Sequence, residues 1–220
     1  MIEYGKAPKD LGIIDVLARE MMYYLYLPVK MLGSMDFRYE ERLGPFRKLL
    51  SECIKDYNRT RNDLIANYVY LTVKTMYVAP GCPGNREGWH ADGYGSNGDF
   101  NYIWANMNPT EFAIQEFKDI SQDDRRSMEQ FEEQFNGHVI TYPNKTLLRL
   151  DESVIHRVAP EPEFGIRTFV KVTVSRHQLR NQGNSHNFMF DYLWDEIPRQ
   201  MERNLDAPTT TPTEAVKEKG

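Results

Sequence analysis

The spacing of apolar residues along the chain predicts helices on either side of a strand-rich central segment. Near the N-terminus they recur every three or four positions, at Ile13, Leu17, Met21 and Tyr24. This spacing predicts a helix from Asp10 to about Tyr26, which Pro28 would end. The same pattern predicts a second helix over about 39–57 and a C-terminal helix over about 188–203.

The middle of the chain is rich in β-branched and aromatic residues and is interrupted by Gly, Pro and Asn, which predicts strands. The run 67–79 carries apolar groups on both faces and should be a central strand. A charged, helix-like insertion is predicted over 121–135. Further strand-like runs lie at 100–107, 111–117, 138–142, 146–150, 154–158 and 166–175. Many short strands separated by turn signals favour a barrel or a sandwich.

Length and composition predict one globular domain over about 1–205, followed by a polar tail at 206–220 that we expect to be disordered. The chain has 220 residues, 40% of them hydrophobic, and a net charge of −5, which disfavours nucleic acid as a partner. Its two cysteines offer no disulfide framework, and the N-terminus lacks the apolar core of a signal peptide. Charged residues interrupt the apolar stretch at 11–32. We therefore expect a soluble, cytoplasmic protein with no membrane association, whose oligomeric state the sequence does not indicate.

A possible metal site lies in the stretch Gly88-Trp89-His90-Ala91-Asp92-Gly93. His90 and Asp92 would point to the same face of a strand, because strand side chains alternate with period two. His156, from a distant strand, could complete the two-histidine, one-carboxylate ligand set of non-haem Fe(II) oxygenases. Arg167 follows His156 by eleven residues and could clamp a carboxylate bidentately.

This combination resembles the Fe(II)/2-oxoglutarate-dependent dioxygenase superfamily over about 67–176. The resemblance implies a mainly β fold with flanking helices, in which a double-stranded β-helix (jelly-roll, cupin-like) core at 67–176 is braced by helices at about 10–57. It makes His90, Asp92 and His156 the iron ligands and catalytic centre, and Arg167 the partner of the distal 2-oxoglutarate carboxylate.

The resemblance also implies the chemistry. Fe(II), 2-oxoglutarate and O2 would be required, with ascorbate as a candidate reductant, and succinate and CO2 would be released. An unactivated C–H bond of a small molecule, or of an amino-acid side chain in a peptide, would be hydroxylated. Because Asp92 is present, no ligand position is vacated for a halide, which favours hydroxylation over halogenation.

One departure from the family concerns the co-substrate site. A serine commonly stands two residues after the arginine in the family, whereas this chain has Phe169. A hydroxyl from another strand would have to help, and the candidates are Tyr68, Tyr77, Tyr102 and Thr141, with Tyr77 and Tyr102 ranked first. Candidate substrate neighbours, chosen by their nearness in sequence to the metal motif, are Arg86, Trp89, Tyr94, Trp104 and Asn106. The polar loop 93–99 could be a lid over the substrate or a solvated turn.

Other functions stay open at this point. The chain could be a nucleobase hydroxylase or demethylase of the same superfamily, which would extrude a base into its pocket. Binding to oligonucleotides that weakens steeply with salt would favour that alternative. It could also be a catalytically silent, cupin-like metal-binding module. Finally, His90 and His156 could be ordinary polar residues near strand ends.

Overall fold

The computed structural model describes residues 2–92 and 98–199, and this part of the chain forms two antiparallel β-sheets with two α-helices. The helices are α1 (Arg47–Thr60) and α2 (Asp124–Gln134), and short 3-10 turns lie at Glu41–Phe46 and Leu64–Ala66. The strands are β1 (Lys9–Ile13), β2 (Met22–Lys30), β3 (Tyr68–Val78), β4 (His90–Ala91), β5 (Phe100–Ala105), β6 (Glu111–Phe112), β7 (Ile140–Thr141), β8 (Thr146–Leu150), β9 (Ile155–Arg157) and β10 (Gly165–Ser175). None of the helices in these ranges is long and apolar enough to cross a membrane.

The chain passes back and forth between the two sheets. The six-stranded sheet has the order β1-β8-β5-β10-β3-β2, and the four-stranded sheet has the order β4-β9-β6-β7. From β3 onward the strands enter the six-stranded sheet, then the four-stranded sheet, in repeated alternation, with β6 and β7 as a consecutive pair. The predicted central strand is confirmed: β3 pairs with β10 along its whole length, from Tyr68 opposite Ser175 to Val78 opposite Gly165.

Helix α1 covers the outer face of the six-stranded sheet. Leu49 and Cys53 of the helix pack in one cluster with Val69, Leu71 and Val73 of β3 and Val170, Val172 and Val174 of β10. Because side chains alternate along a strand, the remaining residues of β3 and β10 point to the opposite face. That inner face is turned toward the four-stranded sheet, as the contact between Lys171 of β10 and Asp92 after β4 demonstrates.

Two further clusters fix the four-stranded sheet. Its outer face is covered by α2, where Phe131 packs with Trp89, Ala91 and Ile155. Between the sheets, Phe112 of β6 packs with Ile103, Leu148 and Leu150 of the six-stranded sheet. The two sheets therefore pack around a shared hydrophobic cluster, while histidine, lysine and carboxylate side chains occupy the region beside β4 and β9.

The predicted N-terminal helix over 10–26 is wrong, because this segment contains β1 and the start of β2. Ile13, Leu17 and Met21, which formed the helical stripe, are exposed, so the pattern did not mark a buried face. The run from Met22 to Lys30 instead pairs with β3, as its aromatic and branched residues favour. Pro28 lies inside β2 at the edge of the sheet, where a missing amide donor is tolerated.

Other predicted boundaries were partly right. The second helix is displaced to Arg47–Thr60 after its 3-10 turn, so one helix rather than two braces the sheet. The insertion helix is confirmed as α2, whereas the strand predicted over 111–117 comprises only Glu111–Phe112. The C-terminal helix is wrong for residues 188–199, which are not helical, and its last four positions lie outside the described residues, as does the predicted disordered tail.

Candidate metal centre

Strand pairing brings the two candidate histidine ligands together. His90 of β4 lies directly opposite His156 of β9, and the two ring centroids are 4.5 Å apart. Asp92 follows on the same side, with its Oδ2 3.5 Å from the Nε2 of His156. One ligand atom from each residue lies within 4.8 Å of the other two, so the three side chains predicted from the sequence do converge and could hold a metal ion.

Backbone carbonyls set the tautomer of both imidazoles. The Nδ1 of His90 is 2.8 Å from the carbonyl oxygen of Gly88, and the Nδ1 of His156 is 3.2 Å from that of Val154. A carbonyl oxygen only accepts hydrogen bonds, so each Nδ1 carries the proton and donates it. The Nε2 lone pair of each ring is then available to a metal, and the second interaction of each ring fixes its orientation.

The electrostatics of the site favour the protonation states that metals bind. Burial lowers the pKa of His90 well below its usual value, and the charges of His156 and Arg86 lower it further. Burial alone would raise the pKa of Asp92, but Lys171 and His156 hold it well below its usual range. The site therefore offers a neutral imidazole and an ionised carboxylate, which are the forms that coordinate a cation.

Arg167 lies at the start of β10 and is buried, with 3% of its surface exposed. Its Nε donates to the carbonyl oxygens of Met107 and Asn108 at 3.2 and 3.1 Å, while its Nη2 has no hydrogen-bond partner among the described residues. Burial lowers the pKa of Arg167 to about 10, so it stays a cation at neutral pH. An unpaired buried donor costs about 1–3 kcal/mol, and more when charged, which favours an anionic ligand at this position.

The inner face of β10 carries Arg167 and also the lysine that contacts the candidate metal ligand Asp92. Arg167 and Lys171 are four residues apart on β10, so they point to the same side, about 13 Å apart along the strand. Lys171 reaches Asp92, which places the candidate metal centre at one end of this row and the guanidinium at the other. Phe169 lies between them, with its ring centroid 5.1 Å from the Arg167 guanidinium carbon.

The two tyrosines ranked first as helpers of Arg167 lie on the wrong face of the sheet. Tyr77 is opposite Ile166, one position away from Arg167 in the register, so it points outward, where its ring contacts Phe164 at 4.7 Å. Tyr102 also faces outward, and its hydroxyl donates to Asp56 of α1 at 3.1 Å. The period-two alternation of strand side chains separates both hydroxyls from the guanidinium.

The two remaining hydroxyl candidates are also away from Arg167. Tyr68 lies opposite Ser175, at the far end of β10. Thr141 is an exposed residue of the short edge strand β7.

The substrate neighbours proposed from sequence proximity mostly have structural roles. Trp89 alternates with His90 and is buried on the outer side of its sheet, where the guanidinium carbon of Arg157 lies 4.2 Å from its ring. Trp104 also points away from the site, and its indole nitrogen donates to the carbonyl oxygen of Ile14.

The other three candidates differ among themselves. Asn106 accepts from the amide of Thr168 and donates to the carbonyl oxygen of Ile166, so it fixes the backbone on both sides of Arg167. The charge of Arg86 helps to lower the pKa of His90, and Arg86 forms an ion pair with Asp124 at 3.1 Å. Tyr94 lies outside the described residues, as does most of the predicted lid loop.

Sequence reasoning missed Lys171 and Tyr26. Lys171 places its Nζ 2.6 Å from Asp92 Oδ2, and Tyr26 places its hydroxyl 3.4 Å from the same nitrogen. Lys171 is four residues from Arg167 on the same strand, so the alternation of side chains indicates that both face inward. Nothing in the local sequence indicates the contact of Lys171 with Asp92. Tyr26 was missed because the apolar spacing of its segment predicts a helix, whereas the residue lies in strand β2.

Comparison of the chain with protein-family models, with curated proteins and with solved structures finds no match. The candidate metal centre rests on the geometry of this chain: the pairing of His90 with His156, the position of Asp92 and the burial of Arg167.

Proposed function

We propose that this chain is an Fe(II)- and 2-oxoglutarate-dependent dioxygenase that hydroxylates an unactivated C–H bond of a small molecule or of an amino-acid side chain in a peptide. One observation carries the proposal: three metal-ligating side chains converge within 4.8 Å, and a buried guanidinium with an unpartnered nitrogen lies on the face of β10 from which Lys171 contacts Asp92. Two imidazoles and one carboxylate suit non-haem Fe(II), and a buried arginine suits the far carboxylate of a dicarboxylate co-substrate.

We propose further that the two sheets form a double-stranded β-helix. The repeated passage of the chain between the sheets supports this topology, as does the pairing of β4 with β9, which are distant in sequence. In such a core, one sheet can carry the metal ligands while the other carries the cationic side chain that binds the co-substrate. The positions of His90 and His156 on the four-stranded sheet and of Arg167 on the six-stranded sheet agree with that division.

The donor set fits a divalent cation, since the Nδ1 of each histidine is held by a backbone carbonyl, which leaves Nε2 as the ligand atom, and the carboxylate is ionised. When bound, iron and 2-oxoglutarate would supply oxygen activation coupled to oxidative decarboxylation, with succinate and CO2 as products. His90, Asp92 and His156 would hold the metal from one side and leave its other positions open. Arg167 would orient the co-substrate through its distal carboxylate, and buried Phe112 and partly buried Phe169 would limit water around it.

The test separates metal binding, co-substrate binding and turnover. We expect the wild-type protein to bind Fe(II) and then 2-oxoglutarate in anaerobic calorimetry, and to form succinate when O2 and ascorbate are added. His156→Ala should abolish metal binding. Arg167→Met should keep metal binding and weaken 2-oxoglutarate binding, while Arg176→Met, at an exposed position past the end of β10, serves as the matched control.

Two results would contradict the proposal in different ways. A wild-type protein that binds neither metal nor 2-oxoglutarate would remove the enzyme hypothesis. A protein that binds metal tightly but shows no affinity for 2-oxoglutarate and forms no succinate would instead be a silent metal-binding module.

A further inference from the structure

Lys171 and Asp92 form a short, largely buried ion pair beside the candidate metal ligands. The Nζ of Lys171 lies 2.6 Å from Asp92 Oδ2, with 10% and 19% of the two side-chain surfaces exposed. We propose that Lys171 is a positioning residue that keeps Asp92 a one-oxygen ligand of the metal, so that a coordination position stays open for the co-substrate. This proposal rests on the metal centre proposed above and deepens it.

The geometry of the carboxylate supports this role. A carboxylate can bind a metal through one oxygen or chelate it through both. The contacts described for the Asp92 carboxylate, to Lys171 and to His156 Nε2, both involve Oδ2. A charge-assisted hydrogen bond from an ammonium fixes the carboxylate plane and competes with chelation. Second interactions of this kind set how a metal ligand is presented.

The fold holds Lys171 in place through a bulge in β2. Lys171 lies opposite Thr72 of β3, and the Thr72 hydroxyl accepts a hydrogen bond from the Tyr26 amide at 2.9 Å. The pairing of β2 with β3 shifts register between Tyr24 and Leu27, and Tyr26 has a φ of 45°. Bulges re-aim side chains, and a non-glycine residue at positive φ is strained and keeps this conformation only where its surroundings fix it.

This bulge turns Tyr26 toward the lysine. Its hydroxyl lies 3.4 Å from Lys171 Nζ, and its ring centroid lies 5.5 Å from the same atom. Lys171 is therefore contacted by Tyr26 from the edge strand and by Asp92 from the opposite sheet. The ammonium has little freedom to leave the carboxylate.

A simpler role for Lys171 would be to neutralise the buried Asp92 charge. Both roles predict that the metal-free protein loses stability when the lysine is removed, because a buried carboxylate is left unpaired. They differ once metal is added. Removal of the ammonium should tighten metal binding in either role, because Lys171 repels the cation and competes for the carboxylate. Only the positioning role predicts that the released carboxylate then chelates the metal and closes the position that the co-substrate needs.

The experiment compares wild type with Lys171→Met, Lys171→Gln and Lys171→Arg. Mn(II) affinity is measured by calorimetry, followed by the 2-oxoglutarate affinity of the Mn(II)-loaded protein. Lys171→Gln removes the charge but keeps a donor, which covers the case in which the methionine variant does not fold. Lys55→Met, which removes an exposed ion pair with Glu52 on α1, is the matched control.

We expect Lys171→Met to bind Mn(II) about tenfold more tightly and 2-oxoglutarate about tenfold more weakly than wild type. Lys171→Gln should tighten Mn(II) binding with a smaller loss of 2-oxoglutarate affinity. Lys171→Arg and Lys55→Met should stay within about twofold of wild type in both affinities, which is well under 1.4 kcal/mol.

Two outcomes overturn the inference while leaving the proposed function intact. If wild type binds both ligands but neither the methionine nor the glutamine variant binds Mn(II) more tightly, Lys171 does not compete with the metal for Asp92. If Lys171→Met keeps wild-type 2-oxoglutarate affinity, no coordination position depends on the lysine, which then only neutralises the Asp92 charge. A wild-type chain that binds no Mn(II) would overturn the metal centre together with this inference.

Discussion

His90 and His156 face each other as a cross-strand pair of β4 and β9, with ring centroids 4.5 Å apart, although they come from distant parts of the chain. Backbone pairing rather than loop conformation therefore sets the spacing of two of the three candidate ligands. A site on paired strands is held before any metal arrives, which reduces the ordering that binding must impose.

The first prediction concerns metal-dependent stability. Addition of Fe(II) or Mn(II) at about 100 times its dissociation constant should raise the free energy of unfolding of wild type by about 2.7 kcal/mol. His156→Ala should abolish this increase, because two remaining ligands hold a cation weakly. Thermal unfolding with and without metal measures it. His138→Ala, at an exposed position, is the control, and an equal metal response in both variants would contradict the assignment.

The second prediction separates the two ends of the proposed site. In Arg167→Met, metal should still stabilise the protein, but further stabilisation by 2-oxoglutarate should be lost. The reason is that the candidate metal ligands are on or next to β4 and β9 of the four-stranded sheet, whereas Arg167 belongs to β10 and donates its hydrogen bonds to Met107 and Asn108. Unfolding is followed in metal-loaded protein over a series of 2-oxoglutarate concentrations. Unchanged stabilisation by 2-oxoglutarate would show that the guanidinium does not bind it.

Much of the candidate site could be predicted from the sequence because it depends on a local rule. The alternation of strand side chains places His90 and Asp92 on one side, and the order of His156 and Arg167 completes the pattern. The same rule, applied to strand register, would have excluded Tyr77 and Tyr102 as partners of Arg167. However, the register of β3 with β10 cannot be determined from one sequence. Contacts between sheets, such as Lys171 with Asp92, depend on tertiary packing.

The N-terminal error has a different physical origin. Residues spaced three or four apart can mark a helix face, yet here Leu17 and Met21 lie between strands and are exposed. The decisive interaction for β2 is its pairing with β3, which is far away in sequence. A period alone does not distinguish a helix from an edge strand whose partner lies elsewhere, so the Tyr26 contact with Lys171 was missed together with its strand.

The third prediction concerns Lys30, whose side chain is completely buried and donates to the carbonyl oxygens of Met31 and Asn67. Burial lowers the pKa of Lys30 from 10.5 to about 8. Between these values the unfolded chain binds more protons than the folded one, so stability should rise with pH. Lys30 by itself should add about 1.6 kcal/mol to the free energy of unfolding between pH 8 and 9.5, since one pKa unit corresponds to about 1.4 kcal/mol. Burial raises the pKa of the Cys53 thiol, which gives a contribution of opposite sign, so the Lys30 contribution is the difference between wild type and a variant without this lysine.

Denaturant unfolding at several pH values measures this slope. Lys30→Met should lower the slope by the Lys30 contribution, whatever its effect on stability at pH 7, while Lys55→Met at an exposed position should leave the slope unchanged. Stopping at pH 9.5 limits tyrosine ionisation in the unfolded chain, and comparison with Lys30→Met removes the contributions of tyrosines and Cys53, which both proteins share. A slope in Lys30→Met as steep as that of wild type would contradict the assignment to Lys30.

The fourth prediction concerns Asp56, the only charged residue of α1 that is fully buried among the described residues. Its carboxylate accepts hydrogen bonds from Lys9, Tyr102 and Arg149 at 3.2, 3.1 and 2.8 Å, and so ties the helix to three strands of the six-stranded sheet. Asp56→Ala should lower the free energy of unfolding by about 3–5 kcal/mol, because the partly buried Arg149 and the buried Tyr102 lose a fully buried charged partner together. Asp15→Ala, which breaks an exposed pair with Lys145, should leave the free energy of unfolding almost unchanged.

The pH dependence of Asp56 provides an independent check. Burial would raise the pKa of Asp56, but hydrogen bonds from Arg149 and Lys9 outweigh it and hold the pKa below its usual value. For a carboxyl group with a lowered folded-state pKa, the stabilisation is present above the unfolded value and is lost as pH falls through the folded one. Wild type and Asp56→Asn should therefore converge in stability on acidification below about pH 4. A constant difference between them down to pH 2 would mean that packing of the asparagine, rather than charge, accounts for the loss.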